Sequence, residues 1–193
     1  MKTRKIKRLL LIILAAGILT SCAAGAGDAG TTDMNSGTIT EKQTEIITKT
    51  LAEEDNKVWI RPETTGKGTQ WGDVEEIVKL SKMFDTVLPC VDFAHLHARS
   101  GGEYNTYDEF CKVFEYIGNE LGDVALKNFH AHLAGIEYSA KGEKCHLILE
   151  ESDMNYKDLL KAFKEFDVKG VIVCESPNIE TDAKILKDYY MSL

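Results

Sequence analysis

The chain has 193 residues, with 31 acidic against 23 basic residues and a formal net charge of −8. This length allows one domain with short accessory segments, and the acidic balance argues against a protein that binds nucleic acid through diffuse positive charge. Any contact with nucleic acid would have to be made by a local site, for instance one that holds metal cations.

The first 22 residues have the pattern of an export signal. A strongly basic start is followed by an apolar run from Leu9 to Leu19 and then by small residues, which is typical of a secretory signal peptide, here residues 1–21. The run is too short to span a bilayer comfortably as a helix. Residues 19–22, Leu-Thr-Ser-Cys, are similar to a bacterial lipobox, which implies a lipid on Cys22 and a membrane-anchored protein on the extracytoplasmic side. An uncleaved anchor is the alternative, and without a working leader the protein would be cytoplasmic.

The other cysteines favour a different cellular environment. They form no C-x-x-C pair and fall inside predicted strands, helices or a loop, so we interpret them as small core residues rather than as a disulfide framework. They are Cys90, Cys111, Cys145 and Cys174. This intracellular pattern conflicts with the export signal, and the sequence leaves the conflict open.

The rest of the chain predicts a tether and then alternating helices and strands. Residues 22–38 are small and polar and are expected to form a flexible tether. A helix of about three turns follows, opened by a capping box of Thr40 and Gln43. The next predicted elements are a strand at 57–62, a helix at 73–84, a strand at 86–93, a helix that starts at the capping box of Thr106 and Glu109, a strand at 126–133, a long loop at 134–153, a helix at 156–166, a strand at 171–175 and a helix at 179–190.

This alternation predicts an α/β domain over residues 39–193. The strands are apolar on both faces, as in a buried parallel sheet, and in β/α barrels the chemistry lies at the carboxyl ends of the strands. The four predicted strands end in ionisable residues, which are Glu63, Asp92 with His95, His132, and Glu175. Structural ion pairing is the alternative to a functional role for them.

The pair Asp92 and His95 is the centre of this prediction. Asp92 is the last inward side chain of its strand, and we expect His95 to lie over it from a following loop. A carboxylate oxygen beside a neutral imidazole nitrogen is the ligand mixture of catalytic Zn²⁺, Fe²⁺ or Mn²⁺ sites.

Five motifs in chain order resemble the C-terminal half of the endonuclease IV family. They are Trp-Ile-Arg-Pro-Glu63-Thr-Thr-Gly-Lys-Gly, Pro-Cys-Val-Asp92-Phe-Ala-His95, His130-Ala-His132-Leu-Ala-Gly-Ile-Glu-Tyr, Gly-Glu-Lys-Cys-His146-Leu and Cys-Glu175-Ser-Pro. Members of this family are apurinic/apyrimidinic endonucleases of DNA repair, with a xylose isomerase-like TIM barrel and three zinc ions. The resemblance covers residues 40–193 and implies a partial TIM barrel of about four β/α units of eight.

The resemblance also implies a role for each residue at the strand ends. Glu63 would bridge two metals and, with Glu175, orient them for catalysis. Asp92, His132 and Glu175 would complete the shell of the second metal. His95 and His146 would bind the third.

Other positions in the motifs are less well matched. The family has an aspartate where this chain has Lys144, so Glu143 is the proposed substitute ligand. Lys67 and Arg99 are candidates for phosphate contacts, and so is His97, although solvated loop positions are the alternative for all three. His130 lies one layer deeper than His132 and is interpreted as a hydrogen-bonded core residue.

The resemblance has a gap that limits the functional prediction. The histidines of the first metal belong to the family's other half, where this chain has its leader and tether, so we expect about two of the three zinc ions, with Mn²⁺ or Fe²⁺ as substitutes. The implied function is zinc-dependent hydrolysis of abasic-site DNA, impaired by the gap. The alternatives are a non-catalytic metal-binding lipoprotein and a sugar or sugar-phosphate isomerase. A half-barrel also has open strand edges, which predicts a homodimer that completes the barrel.

Overall fold

The computed structural model of the protein describes residues 36–193. The predicted signal peptide, the Cys22 lipidation site and most of the predicted tether lie outside these described residues. Within residues 36–193, no helix combines the length and hydrophobicity needed to cross a membrane.

The helices and strands of the described chain alternate as the sequence predicts, with additions. They are α1 Ser36–Glu53, α2 Val74–Ser81, β1 Cys90–Asp92, α3 Phe93–Arg99, α4 Tyr107–Leu121, α5 Asp123–Lys127, β2 Phe129–Leu133, β3 Gly135–Ser139, β4 Gly142–Leu147, a 3-10 turn at Leu149–Glu151, α6 Tyr156–Glu165, β5 Gly170–Cys174 and α7 Glu180–Ser192. The capping box of Thr106 and Glu109 opens α4 as predicted. Helix α1 begins at Ser36, so the end of the predicted tether is helical.

The central sheet is parallel and has the order β1-β2-β5. In its register Cys90 lies opposite His130, and Asp92 lies opposite His132. The side chains of the strand ends therefore fall in one row, because all three strands run in the same direction. The α/β class with parallel strands is confirmed.

The predicted strand at 57–62 is present as an interrupted edge of the sheet, which we call the edge segment, residues 60–64. Its N–H and carbonyl groups bond to the chain leading into β1: the Ile60 N–H donates to Thr86 at 2.9 Å, and the Pro62 carbonyl accepts from Cys90 at 2.8 Å. Only isolated bridges form, at Ile60 and Glu63. The reason is Pro62, which has no N–H and so removes one bond from the ladder.

Three local predictions are wrong. His95 lies in α3 rather than in a loop, since Asp92 caps a helix that starts immediately after β1. Residues 126–127 end the short helix α5, so the strand begins only at Phe129. The predicted loop at 134–153 contains the antiparallel hairpin β3–β4, whose turn depends on Gly142 at a φ of 91°, a conformation that favours glycine.

The hydrophobic core lies between the sheet and helices α4 and α6. Its centre is Phe114, which is fully buried and contacts four other aromatic rings. The ring centroids lie 5.8 Å from Phe93, 5.4 Å from Phe129, 4.9 Å from Phe163 and 5.6 Å from Phe166. Phe93 follows Asp92 directly, so this packing also fixes the end of β1.

The other side of the sheet is less covered at its last strand. Strand β5 is an edge, and its residues from Gly170 to Val173 are exposed. Val171 is 57% exposed, which is unusual for an apolar strand residue. In the part of the domain that the structure describes, β5 is therefore an accessible apolar strand at the lateral edge of the sheet, paired with β2 on one side.

Candidate metal centre

The four strand ends bring carboxylates and imidazoles together. One ligand atom from each of Glu63, Asp92, His132 and Glu175 lies within 4.8 Å of the others. We call these four residues the carboxylate set. Each residue stands at the end of a different strand, with the edge segment counted as one. Because the strands are parallel, these ends meet on the same side of the sheet, at the carboxyl ends of the strands.

Asp92 has a double role at the carboxyl ends of the strands. It is only 1% exposed, and its Oδ1 accepts the backbone N–H of His95 at 2.8 Å, which caps α3. The helix thus fixes the carboxylate plane. Oδ2 lies 3.3 Å from Nδ1 of His95 and is left without a hydrogen-bond partner.

His95 is oriented by a backbone carbonyl. Its Nδ1 lies 2.9 Å from the carbonyl oxygen of Thr64, and since a carbonyl only accepts, Nδ1 carries the proton. That carbonyl is available because the Thr64 hydroxyl accepts the N–H of Asp92 at 2.8 Å in its place. An imidazole whose Nδ1–H is held by a carbonyl presents Nε2 to a metal, which is the usual arrangement for metal-binding histidines.

The hairpin β3–β4 supplies two further groups. His146 stacks at a tilt beside His95, with ring centroids 5.5 Å apart, and Asp92, His95 and His146 form a second set of possible ligands, the histidine set. Glu143 lies 3.5 Å from Nε2 of His95. Lys144 instead pairs with Glu137 at 2.7 Å, so Glu143 is the acidic residue of β4 that faces the site.

Two glycines allow the hairpin to approach the loop after the edge segment. The Glu143 N–H donates to the carbonyl of Gly66 at 2.9 Å. A Cβ at Gly66 would lie 2.4 Å from the Glu143 carboxylate, and one at Gly142 would lie 2.4 Å from the Gly66 carbonyl. The hairpin can therefore place His146 beside His95 only because neither position carries a side chain.

Unsatisfied polar atoms are concentrated at this face of the sheet. Among the described residues, the buried side-chain atoms without a hydrogen-bond partner are Asp92 Oδ2, His130 Nε2, His132 Nδ1 and His146 Nε2. Buried polar atoms are normally paired, because an unpaired one costs about 1–3 kcal/mol. Oxygen and nitrogen atoms that converge without partners fit a bound divalent cation, so these residues could hold a metal.

The charges of the site are strongly coupled. Burial alone would lower the pKa of His95, but the charge of Asp92 and the contact with Glu143 raise it to about 10. Burial would also lower the pKa of His132, but the carboxylates of Glu63 and Glu175 outweigh this effect and raise it. Burial favours the neutral acid at Glu63, yet the imidazoles around it lower its pKa. The raised pKa values of His95 and His132 thus reflect the negative charge of the carboxylates around them.

The remaining sequence-predicted positions have structural contacts. His97 is buried rather than solvated: its Nδ1 lies 2.8 Å from the Glu103 carbonyl and its Nε2 lies 3.1 Å from Asp153. Arg99 donates to the carbonyl and the hydroxyl of Thr65, both at 2.8 Å, and so holds the loop after the edge segment. Lys67 lies on that loop and is partly buried. Phosphate contacts by Lys67 and Arg99 stay predictions.

His130 differs from its interpretation as a hydrogen-bonded core residue. Its Nε2 has no hydrogen-bond partner, and its ring lies 5.1 Å from that of His132. It also approaches Cys90, its neighbour across β1 and β2. No local pattern reveals this contact, because it depends on the register of two distant strands.

Comparisons with known proteins agree with the fold. A family model described as xylose isomerase-like TIM barrel matches residues 37–190. An uncharacterized protein of Methanocaldococcus jannaschii is 51% identical over 136 residues, which is 70% of this chain and 50% of the relative. The aligned part thus spans about half the length of that relative.

Proposed function

The chain belongs to the xylose isomerase-like TIM barrel family, and on that premise we propose that it hydrolyses phosphodiester bonds of DNA at abasic sites with bound zinc. The family includes both apurinic/apyrimidinic endonucleases and sugar isomerases, so the proposal has to rest on this chain's own residues. The observation that carries it is the presence of two ligand sets that share Asp92.

The shared carboxylate favours a reaction at phosphorus. Because Asp92 belongs to both sets, two cations would lie side by side at the strand ends. Bound zinc supplies Lewis acidity, which acidifies an attacking water and neutralises the charge on the departing oxygen. Paired metal sites of this kind are typical of phosphatases and nucleases.

The chain's own residues hold this arrangement rigid. The Thr64 carbonyl fixes the ring of His95, the α3 cap fixes Asp92, and the hairpin fixes His146 and Glu143. Glu63 and Glu175 lie at opposite ends of the row of strands, 3.4 Å and 3.2 Å from Nδ1 of His132. Their carboxylates would hold the cations in place for a substrate that binds at the carboxyl ends of the strands.

The direct test is cleavage of a DNA duplex that carries one reduced abasic site, with the undamaged duplex as control substrate. A reduced site cannot undergo elimination, so a new 3′-hydroxyl end reports hydrolysis on the 5′ side. We expect cleavage that stops with chelator and returns with zinc. Glu143→Gln should reduce it by about tenfold to a hundredfold, as for residues that support a metal shell, while Glu137→Gln on the outer side of the same hairpin should leave it unchanged.

Zinc binding and sugar isomerisation, measured beside this cleavage assay, separate the alternatives. Zinc binding without cleavage at any protein concentration would favour the non-catalytic metal-binding protein, and interconversion of aldoses and ketoses would favour the isomerase. The exposed edge strand β5 supports the predicted homodimer. If a second copy completes the barrel, the rate per chain should fall on dilution below the dimer's dissociation constant.

Zinc affinity should rise with pH. The pKa of His95 is raised to about 10 in the metal-free protein, so below that pH the ring holds a proton that a metal must displace. For each proton that the metal displaces, the apparent zinc affinity rises about tenfold with every unit of increasing pH. Competition with a chromogenic chelator between pH 6 and pH 8 measures this slope, and an affinity independent of pH would contradict the placement of His95 in the site.

A further inference from the structure

A third group of ligand atoms lies one layer below the strand ends. Cys90 and His130 are neighbours across β1 and β2, and a ligand atom of each lies within 4.8 Å of the other and of one from His132. We call these three residues the thiol set. It contains no carboxylate, in contrast to the two sets described above.

The surroundings of these residues fit a bound metal. Cys90 is only 2% exposed and is not part of a disulfide within the described residues. His130 lies opposite it in the register of the sheet. Its Nε2 is buried and has no hydrogen-bond partner, which is costly unless something binds it.

Two other interpretations of this group fit less well. A plain core would use an apolar residue at position 130, since an imidazole there leaves an unpaired nitrogen. A disulfide is excluded for Cys90 within the described residues, because none of the other described cysteines is bonded to it. A cation that takes one sulfur and imidazole nitrogens accounts for all three side chains.

We propose that Cys90, His130 and His132 form a further, deeper binding site for a soft or borderline cation, Zn²⁺ or Cu⁺. Thiolate sulfur with imidazole nitrogen selects these ions over Mg²⁺, Ca²⁺ or Mn²⁺. On binding, the Cys90 thiol releases its proton to solvent and the sulfur takes the cation in its place. No oxidant or reductant is needed.

The site has a consequence for the carboxylate set. His132 belongs to both groups, so the two shells share one imidazole ring. A cation in the thiol set fixes that ring and repels a second cation close by, so occupation of the thiol set lowers the metal affinity of the carboxylate set. This makes the deeper site a regulator of the outer one, whatever reaction the outer one performs.

Cobalt(II) is a suitable probe, because a thiolate bound to Co²⁺ absorbs in the near ultraviolet by charge transfer and carboxylate or imidazole ligands do not. We expect the purified full chain to develop this absorption on titration with Co²⁺. Cys90→Ser should abolish it. The matched control is Cys174→Ser, since Cys174 lies on β5 opposite Leu133 and packs against the hydrophobic core; this variant should keep the absorption.

Two further variants make the test independent of folding and of the outer site. His130→Gln changes a side chain at the sheet's less covered face and should shift the cobalt midpoint by at least about tenfold, with circular dichroism as the check on its fold. Asp92→Asn should keep the absorption, since Asp92 is outside the thiol set. Absence of the absorption in the unmodified chain, its persistence in Cys90→Ser, or an unchanged midpoint in a folded His130→Gln would overturn the proposal.

Discussion

Asp92→Asn should reduce the zinc held by the carboxylate set and the histidine set from about two ions to fewer than one, because this residue belongs to both sets. Asparagine caps a helix as well as aspartate does, so the bond to the His95 N–H and the start of α3 should persist. The amide NH₂ would then stand where Oδ2 is now, and it would repel cations instead of binding them.

Metal analysis after dialysis measures this effect in a Cys90→Ser background, which removes the sulfur ligand of the thiol set, with thermal unfolding as the check on the fold. The matched control is Asp73→Asn, which replaces another helix-capping aspartate: Asp73 accepts the Glu76 N–H at 2.8 Å and lies outside the ligand sets. Any abasic-site cleavage should fall by more than about a hundredfold in Asp92→Asn, since loss of a direct ligand exceeds the effect of losing a supporting residue. Unchanged zinc content would contradict the shared-ligand arrangement.

Phe114→Ala should lower the free energy of unfolding by about 3–5 kcal/mol, the usual cost of removing a fully buried aromatic ring. The ring packs against four other phenylalanines, and a rigid aromatic cluster cannot easily close the resulting cavity. Since small domains have a total stability of about 5–15 kcal/mol, this variant should be close to unfolding. Urea denaturation followed by circular dichroism measures the change.

The control for this variant is Phe84→Ala. Phe84 is only half-buried and lies outside the aromatic cluster, so its removal should cost clearly less than the removal of Phe114. Equal costs would mean that the cluster has no special role in the stability of the domain. A milder variant, Phe114→Leu, should retain most of the stability because it leaves a smaller cavity.

The sequence predicts where the strands lie along the chain and which residues stand at their ends, because both depend on local patterns. An apolar run that stops at a carboxylate is visible at Asp92 and at Glu175, and the parallel arrangement then brings such ends together. The start of α3 could also have been predicted: Asp92 is a good capping residue, and Phe93 and Leu96 follow at helical spacing.

Other features of the site depend on contacts between distant segments and carry no local signal. The pairing of Cys90 with His130 follows from the register of β1 and β2, which a single sequence does not specify. The contact of Arg99 with Thr65 replaces an expected solvated side chain, because the loop after the edge segment folds back onto α3. The hairpin β3–β4 had a weak signal in Gly142, whose turn role becomes clear only from its backbone conformation.

Pro62 has a consequence for the motions of the domain. Local opening of a sheet begins where backbone bonds are fewest, and the edge segment lacks the bond that Pro62 cannot donate, whereas β2 is paired on both sides. Glu63 stands on that segment, while its fellow ligands Asp92 and His132 stand on β1 and β2. A cation held by all three adds its binding free energy to the cost of opening. Metal occupancy should therefore slow amide hydrogen exchange in the edge segment and hardly affect it in β2.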